Sequence, residues 1–317
     1  MGSRKVSKSS PALAGILKVA IGGFGRLPLP VARTCGRVVG ELLWRLPNQF
    51  RAASIRNVNR CFPELEERRR REIIHNSLIS TGLNVAEAGA MFHWDRKRLV
   101  ELEEEVVGAD VIEAGLARGK GVIALGPHVG NWEYLSHAVG IRWGMIALYR
   151  PPRIIELEAY IRDCRQHLGA TELVPADSSG LRRAIKGLRA GGIVGILPDQ
   201  EPLKDHGVFA PFFGTPALTM TLVGRLAREF DATVVLGSAE RTPAGGFRIR
   251  VISAPEGVGD EDPIRAATQL NLGVEQCVRA CPDQYTWSYR RFKTRPPEEL
   301  VARVADAARA SPTAASP

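Results

Sequence analysis

The 317-residue chain contains no Cys-x-x-Cys pair, no repeat of fixed period and no apolar run near the ~18–20 residues that a membrane-spanning helix needs. Its five cysteines, Cys35, Cys61, Cys164, Cys277 and Cys281, are an odd count with no metal-ligand spacing. That argues against a disulfide framework and against structural zinc, and fits a reducing compartment. Cys277 and Cys281 stand four apart on an expected helix, where burial on one face accounts for both. No cofactor-binding fingerprint is present, and no resident cofactor or metal is expected.

Positive charge is in surplus. Lys plus Arg number 43 against 34 Asp plus Glu, a formal net charge of +9, which calls for an anionic partner. Residues 11–46 are apolar but interrupted by Lys18, Arg26, Arg33, Arg37 and Arg45, and Pro28 and Pro30 break any single helix. The stripe Val31, Cys35, Val38, Leu42, Leu46, with arginines beside it, describes a helix lying on an anionic leaflet; packing against its own domain is the alternative. We therefore expect three parts: residues 1–46 as a membrane-associating segment, 47–300 as a catalytic domain and 301–317, rich in Ala, Ser and Pro, as a disordered tail.

Residues 47–118 read as helices, with Glu64–Ser77 charged, Asn76–Met91 small and apolar, and Ala109–Arg118 short. Apolar runs then alternate with helical patterns. The strand candidates are Val122–Leu125, Met145–Tyr149, Thr171–Val174, Ile193–Leu197, Thr233–Ala239, Phe247–Ser253 and Tyr285–Arg290. The expected fold is α/β, with a mixed, mostly parallel sheet of about seven strands flanked by helices; the Pro243–Gly246 turn marks one antiparallel hairpin.

Ligands of such sheets bind beyond the carboxyl ends of parallel strands, and the chemically suggestive residues fall there. Gly126-Pro127-His128-Val129-Gly130-Asn131-Trp132-Glu133 joins the first of these strands to a helix that Asn131 is placed to cap. Five positions apart on a regular helix, His128 and Glu133 would diverge by about 140°. They meet only if His128 precedes the helix and Glu133 lies in its first turn. A carboxylate beside an imidazole fixes its tautomer and lets it take a proton from an alcohol, and a helix N-terminus offers N–H groups to an oxyanion. An ordinary capped helix with a surface histidine is the alternative. Tyr149-Arg150-Pro151-Pro152 follows the second strand, where Arg150 and Arg153 suit a phosphate, and Pro198-Asp199-Gln200-Glu201 follows the fourth. Phe209, Phe212, Phe213 and Gly214 form an aromatic loop suited to an acyl chain or to the core. Arg290, Arg291, Lys293 and Arg295 near the end suit a phosphorylated ligand, and nothing there resembles a nucleic-acid reading module.

Taken in order, HVGNWE, YRPP, ILPDQE, GVFAPFFGTPA and YRRFKTRP resemble the bacterial lipid A secondary acyltransferases, within the wider group of His-x4-acid glycerolipid acyltransferases. Asn57-Val58-Asn59-Arg60-Cys61-Phe62-Pro63-Glu64 is similar to a further family segment, and the likeness spans roughly residues 35–297. The resemblance implies acyl transfer, from acyl carrier protein or acyl-CoA as donor substrate, to a hydroxyl of a lipid A precursor or related anionic glycolipid. It places the reaction at the cytoplasmic face of the cell inner membrane, with no nucleic-acid partner. Carried onto this chain, His128 is the base, Glu133 its partner, and Asp199 and an arginine complete the polar site. Arg165 is favoured over Arg162 because it precedes Gly169 as in the family pattern.

The resulting expectation is a general-base reaction without an acyl-enzyme. N–H groups near Gly130 and Asn131, with Arg165, hold the oxyanion. Arg150, Gln200, Arg291, Lys293 and Arg295 face the anionic substrate, and Phe209, Phe212 and Phe213 border the acyl chain. Two other classes stay open: a metal-dependent hydrolase using His128, Glu133 and His137, and a non-enzymatic module binding anionic membranes.

Overall fold

The computed structural model describes residues 9–298; the tail expected over 301–317 lies outside them. Helices α1 (Pro11–Arg26) and α2 (Leu29–Arg45) are separated at Pro28, where the missing N–H and fixed φ forbid a continuous helix. Among the described residues no helix is long and apolar enough to cross a membrane. Asn48 caps α3 (Gln49–Cys61) by accepting from the Arg51 N–H at 2.9 Å, and α4 (Glu67–His93) and the short α5 (Arg96–Val100) follow.

Both N-terminal helices lie against α4 through glycine. A Cβ added to Gly82 would stand 2.1 Å from the Gly36 carbonyl oxygen, and one on Gly89 2.3 Å from the Gly25 nitrogen, so the backbones touch with no room for a side chain. The other side of α2 carries Val31, Cys35, Val38, Leu42 and Leu46, all exposed. Arg33 departs from the expected row of surface arginines: it turns inward and ion-pairs with the buried Glu87 of α4 at 2.6 Å.

The rest of the chain is β1 (Glu103–Val107), α6 (Ala109–Ala117), β2 (Val122–Leu125), α7 (Trp132–Trp143), β3 (Met145–Tyr149), α8 (Glu158–Gln166), β4 (Thr171–Pro175), α9 (Ser178–Arg189), β5 (Ile193–Ile196), β6 (Gly207–Phe212), β7 (Thr215–Met220), α10 (Leu222–Phe230), β8 (Thr233–Arg241), β9 (Phe247–Ser253) and α11 (Pro263–Ala280). Seven strands form one sheet in the order β1-β9-β8-β2-β5-β3-β4, parallel throughout except for the β8–β9 hairpin. The fold is therefore α/β with a mixed, mostly parallel sheet, as expected. Ile123, Leu125, Val194 and Ile196 bury one face, and Val122, Ile193 and Val235 the other.

Three elements differ from the sequence reading. Tyr285–Arg290 is not a strand: only Tyr285 bridges, to Val129, and the Trp287 and Tyr289 carbonyls accept from the Asn57 side-chain amide, both at 2.7 Å. The seventh strand is instead β1, whose Glu103-Glu104-Glu105 run has little β propensity. At the sheet edge those carboxylates find arginine partners, Arg142 for Glu103 and Arg248 for Glu105. The aromatic loop of residues 208–214 is the hairpin β6–β7, turned at Phe213 and Gly214, where φ is 49° and 68°.

Two outcomes follow. Alanine at Gly82 favours a helix by about 1 kcal/mol over glycine, but the obstacle is backbone and overpacking costs about 1–3 kcal/mol. Gly82→Ala should therefore lower the melting temperature, and an unchanged or higher one would remove the close-packing account. His137 of α7 is buried with Nε2 unpartnered, and burial first of all pushes its pKa from 6.5 down to about 4. The unfolded chain binds that proton and the native one does not, so stability falls as pH drops from 6.5 towards 4, by about 3 kcal/mol at most. Denaturant titrations of His137→Leu against the parent should show a shallower decline over that window; parallel curves would contradict it.

Candidate active site

Register brings the site together. Leu125 of β2 pairs with Ile196 of β5, so His128 and Asp199, each three residues further on, leave the sheet side by side. Leu125 also pairs with Leu236 of β8, which sets Ala239 beside the same turn. His128 Nδ1 lies 2.7 Å from Asp199 Oδ1, and the His128 backbone N–H donates to Asp199 Oδ2 at 2.9 Å. One carboxylate thus holds both the ring and the backbone that carries it. Both residues are buried, and the Trp132 ring lies against the imidazole at 4.8 Å between centroids.

A carboxylate on Nδ1 selects the tautomer whose Nε2 has a free lone pair. Gln200 Nε2 stands 3.2 Å from that nitrogen, as its donor. Burial alone would raise the Asp199 pKa, but the charge and hydrogen bonds of His128 outweigh it and hold it below the ordinary range. Burial, and then the charge of Asp199, keep the neighbouring Tyr285 hydroxyl protonated well above its usual pKa.

The carboxylate against His128 is therefore Asp199, where the sequence pointed to Glu133. Glu133 turns to Arg165 of α8, whose Nε donates to its two oxygens at 3.1 and 2.9 Å while Nη2 makes a third contact. Burial works against the Arg165 charge, yet Glu133 raises its pKa overall. Arg162 stays half exposed, 3.8 Å from Asp163.

The N–H groups expected to face an oxyanion are already committed. Gly130 donates to the Gln284 carbonyl at 3.0 Å and Asn131 to the Ala239 carbonyl at 2.9 Å. Gly130 has φ 65°, and a Cβ there would stand 1.9 Å from the Ala239 oxygen, so the turn is pressed onto β8 and only glycine fits. Asn131 caps α7, accepting from Tyr134 N at 2.9 Å, and its Nδ2 donates to Glu87 at 2.8 Å. Both residues build the turn. Among the described residues, the first-turn N–H groups of Trp132 and Glu133 have no backbone acceptor.

Beside this turn an apolar cleft of about 730 Å³, counted to its mouth, runs beneath α7 across the sheet, from Leu173 on β4 to Val251 on β9. Trp132, Glu133 and Arg165 border it; Gly126, Gly195 and Gly237 keep its wall open. Phe209, Phe212 and Phe213, expected to border an acyl chain, are not part of it. Phe212 and Phe213 are buried in the core, Phe213 against Phe62 and Trp287, and Phe209 is half buried on β6. Gly214 is the exposed hairpin tip.

Of the predicted cations, Arg291 is buried, its guanidinium donating to the Leu218 carbonyl at 2.6 Å and Thr219 Oγ1 at 2.8 Å, so it fastens the C-terminal segment to β7. Lys293, Arg295 and Arg150 are exposed, Arg150 reaching the Glu201 carbonyl at 3.3 Å. The His128, Glu133, His137 metal set does not assemble. Asp199 and Arg165 hold the first two, and the His137 ring faces His167 at 5.5 Å. Among the described residues no group of three or more His, Cys, Asp or Glu could hold a metal.

Sequence reasoning missed two things. Glu87, inside a small-residue helical run, is fully buried and binds Arg33, Arg241 and Asn131; no local signal marks it. The cleft draws its walls from elements far apart in the chain, each with ordinary core residues.

Residues 4–294 match the model of the bacterial lipid A biosynthesis acyltransferase family. The chain is 30% identical over 278 residues to the lipid A biosynthesis lauroyltransferase of Escherichia coli (strain K12), covering 86% of this chain and 88% of that protein. It is 26% identical over 280 residues to the palmitoleoyltransferase of the same organism, at the same coverage, and 26% over 277 residues to its myristoyltransferase, covering 86% and 82%. With a buried His–Asp pair beside an apolar cleft and a match over nearly its whole length, this chain belongs to the bacterial lipid A biosynthesis acyltransferases.

Proposed function

We propose that this acyltransferase moves a fatty acyl group from an acyl carrier protein or coenzyme A thioester to a hydroxyl of a lipid A precursor, with His128 as general base. The observation that carries the reading is the 2.7 Å contact of His128 Nδ1 with Asp199, which leaves Nε2 as the acceptor beside an apolar cleft. The acceptor hydroxyl replaces Gln200 on Nε2 and gives up its proton as its oxygen attacks the thioester carbonyl. Asp199 stabilises the imidazolium. The tetrahedral intermediate collapses, the carbon–sulfur bond breaks, and the imidazolium returns the proton to the departing thiolate. No acyl-enzyme is needed.

Since Gly130 and Asn131 are occupied, the oxyanion falls to the first-turn N–H groups of α7 and to Arg165, whose Nη1 lies outside the fork on Glu133. Glu133 then positions Arg165. The cleft beneath α7 takes the acyl chain. The exposed Leu13, Ile16, Val19, Val38, Leu42 and Leu46, with Arg37 and Arg45 beside them, support docking of α1 and α2 on the cytoplasmic face of the inner membrane. The exposed Lys293 and Arg295 suit the anionic acceptor or the acidic carrier.

Assays with labelled lauroyl and myristoyl thioesters of each carrier, and mass spectrometry of membrane glycolipids with and without the protein, test substrate and donor together; an unchanged acylation pattern would end the reading. His128→Ala and Asp199→Asn should stay folded and lower kcat by about 10²–10⁴-fold. Parent-like turnover in folded Asp199→Asn would return the base-orienting role to another carboxylate. Gly237→Val adds methyl groups where a Cβ already lies 3.3 Å from Leu135 Cδ1, so it should shift preference towards shorter acyl chains. An unaltered chain-length profile would place the acyl chain elsewhere.

A further inference from the structure

A second cleft opens between α2, α4, the β8–β9 turn and the turn at 282–284, enclosing about 790 Å³ to its mouth. None of the residues assigned above to the acyl-transfer chemistry lines it. Arg33 lines it, 7% exposed, with Nε on Glu87 and Nη1 on the Gly245 carbonyl; Nη2 is buried and has no partner among the described residues. The Thr242 hydroxyl, on the same wall, is also buried without a partner. Buried polar groups are paired in folded proteins almost without exception. Arg33 and Thr242 thus each bring to the lining of one cleft a donor without a partner among the described residues, which suits an acceptor from outside the chain.

The charges specify which acceptor. Arg33 and Arg241 share the single carboxylate of Glu87, at 2.6 and 2.7 Å, and Arg37 is exposed on the lining. The other carboxylate, Asp283, is taken by Arg69 at 2.7 Å and by Asn76 at 3.0 Å. Of the three guanidinium groups on the lining, Arg33 and Arg241 share Glu87 and Arg37 has no carboxylate partner among the described residues, so positive charge is in surplus. A tetrahedral dianion with several acceptor oxygens satisfies both the surplus and the separate donors, as a carboxylate does not.

We propose that this cleft binds a phosphate monoester, its oxygens accepting from Arg33 Nη2, Arg37 and the Thr242 hydroxyl. The phosphate comes from a lipid headgroup or from a free phosphate. The exposed Val38 and Leu42 beside Arg37 on α2 suit a headgroup.

The test takes the purified full chain with Arg37→Gln and Thr242→Val, which leave the Arg33–Glu87–Arg241 cluster intact; melting in chloride checks that each folds. Sodium phosphate, titrated at constant ionic strength against chloride, should raise the parent's melting temperature saturably, with apparent affinity about tenfold weaker in each variant. In the second arm the protein is floated with phosphatidylcholine vesicles, with and without phosphatidic acid. Binding that needs phosphatidic acid and is lost in the variants identifies a headgroup; a phosphate response without it identifies a free phosphate. Thr242→Val removes no charge, so parent-like behaviour of that variant in both arms reduces the effect to general attraction and overturns the proposal. So does the absence of any response in the parent.

Discussion

The site depends on one carboxylate gripping one residue twice. Asp199 accepts from both the imidazole and the backbone N–H of His128, so the ring cannot rotate without losing a buried ion's partner. The cost of desolvating a carboxylate is large, and it is offset only because both oxygens are engaged by a group that can carry positive charge. Remove the register of β2 against β5 and neither bond forms: the two residues are 71 positions apart and share only the strand ends that carry them.

The surroundings hold that pair in place. The His128 carbonyl accepts from Thr286, the next turn donates to Gln284 and Ala239, and Asn131 is both cap of α7 and ligand of Glu87. Glu87 is an ionised hub within α4; burial opposes its charge, and Arg241 and Arg33 overcome that and lower its pKa. The Glu133–Arg165 pair stands at the border of the apolar cleft. Much of the buried charge thus lies around one turn, in pairs that fix geometry more than they add stability.

Much of this was legible beforehand. The strand-turn-helix at 122–143 follows from a short β-prone run, a flexible turn and a capping residue, all local signals. The strand-end placement of His128 and Asp199 follows from sheet topology. β1 was illegible because its three glutamates are stabilised from distant elements, Glu103 and Glu105 by arginines and Glu104 by the Gly246 N–H, and residues 285–290 misled because aromatic, β-prone residues there are held by a side chain of α3. Phe212 and Phe213 read equally as channel or core, and only packing decides between those.

The chain alone determined the fold class, the family and which residue types carry the chemistry, because hydrophobic period, caps and ordered motifs are properties of neighbouring residues. Tertiary structure decided the pairings: that Asp199 and not Glu133 holds His128, that Glu133 holds Arg165, that Arg291 is structural and Arg33 buried. Hydrogen bonds act over about 3 Å whatever the separation in sequence, so a partner is chosen by strand register and helix packing, which no local pattern encodes.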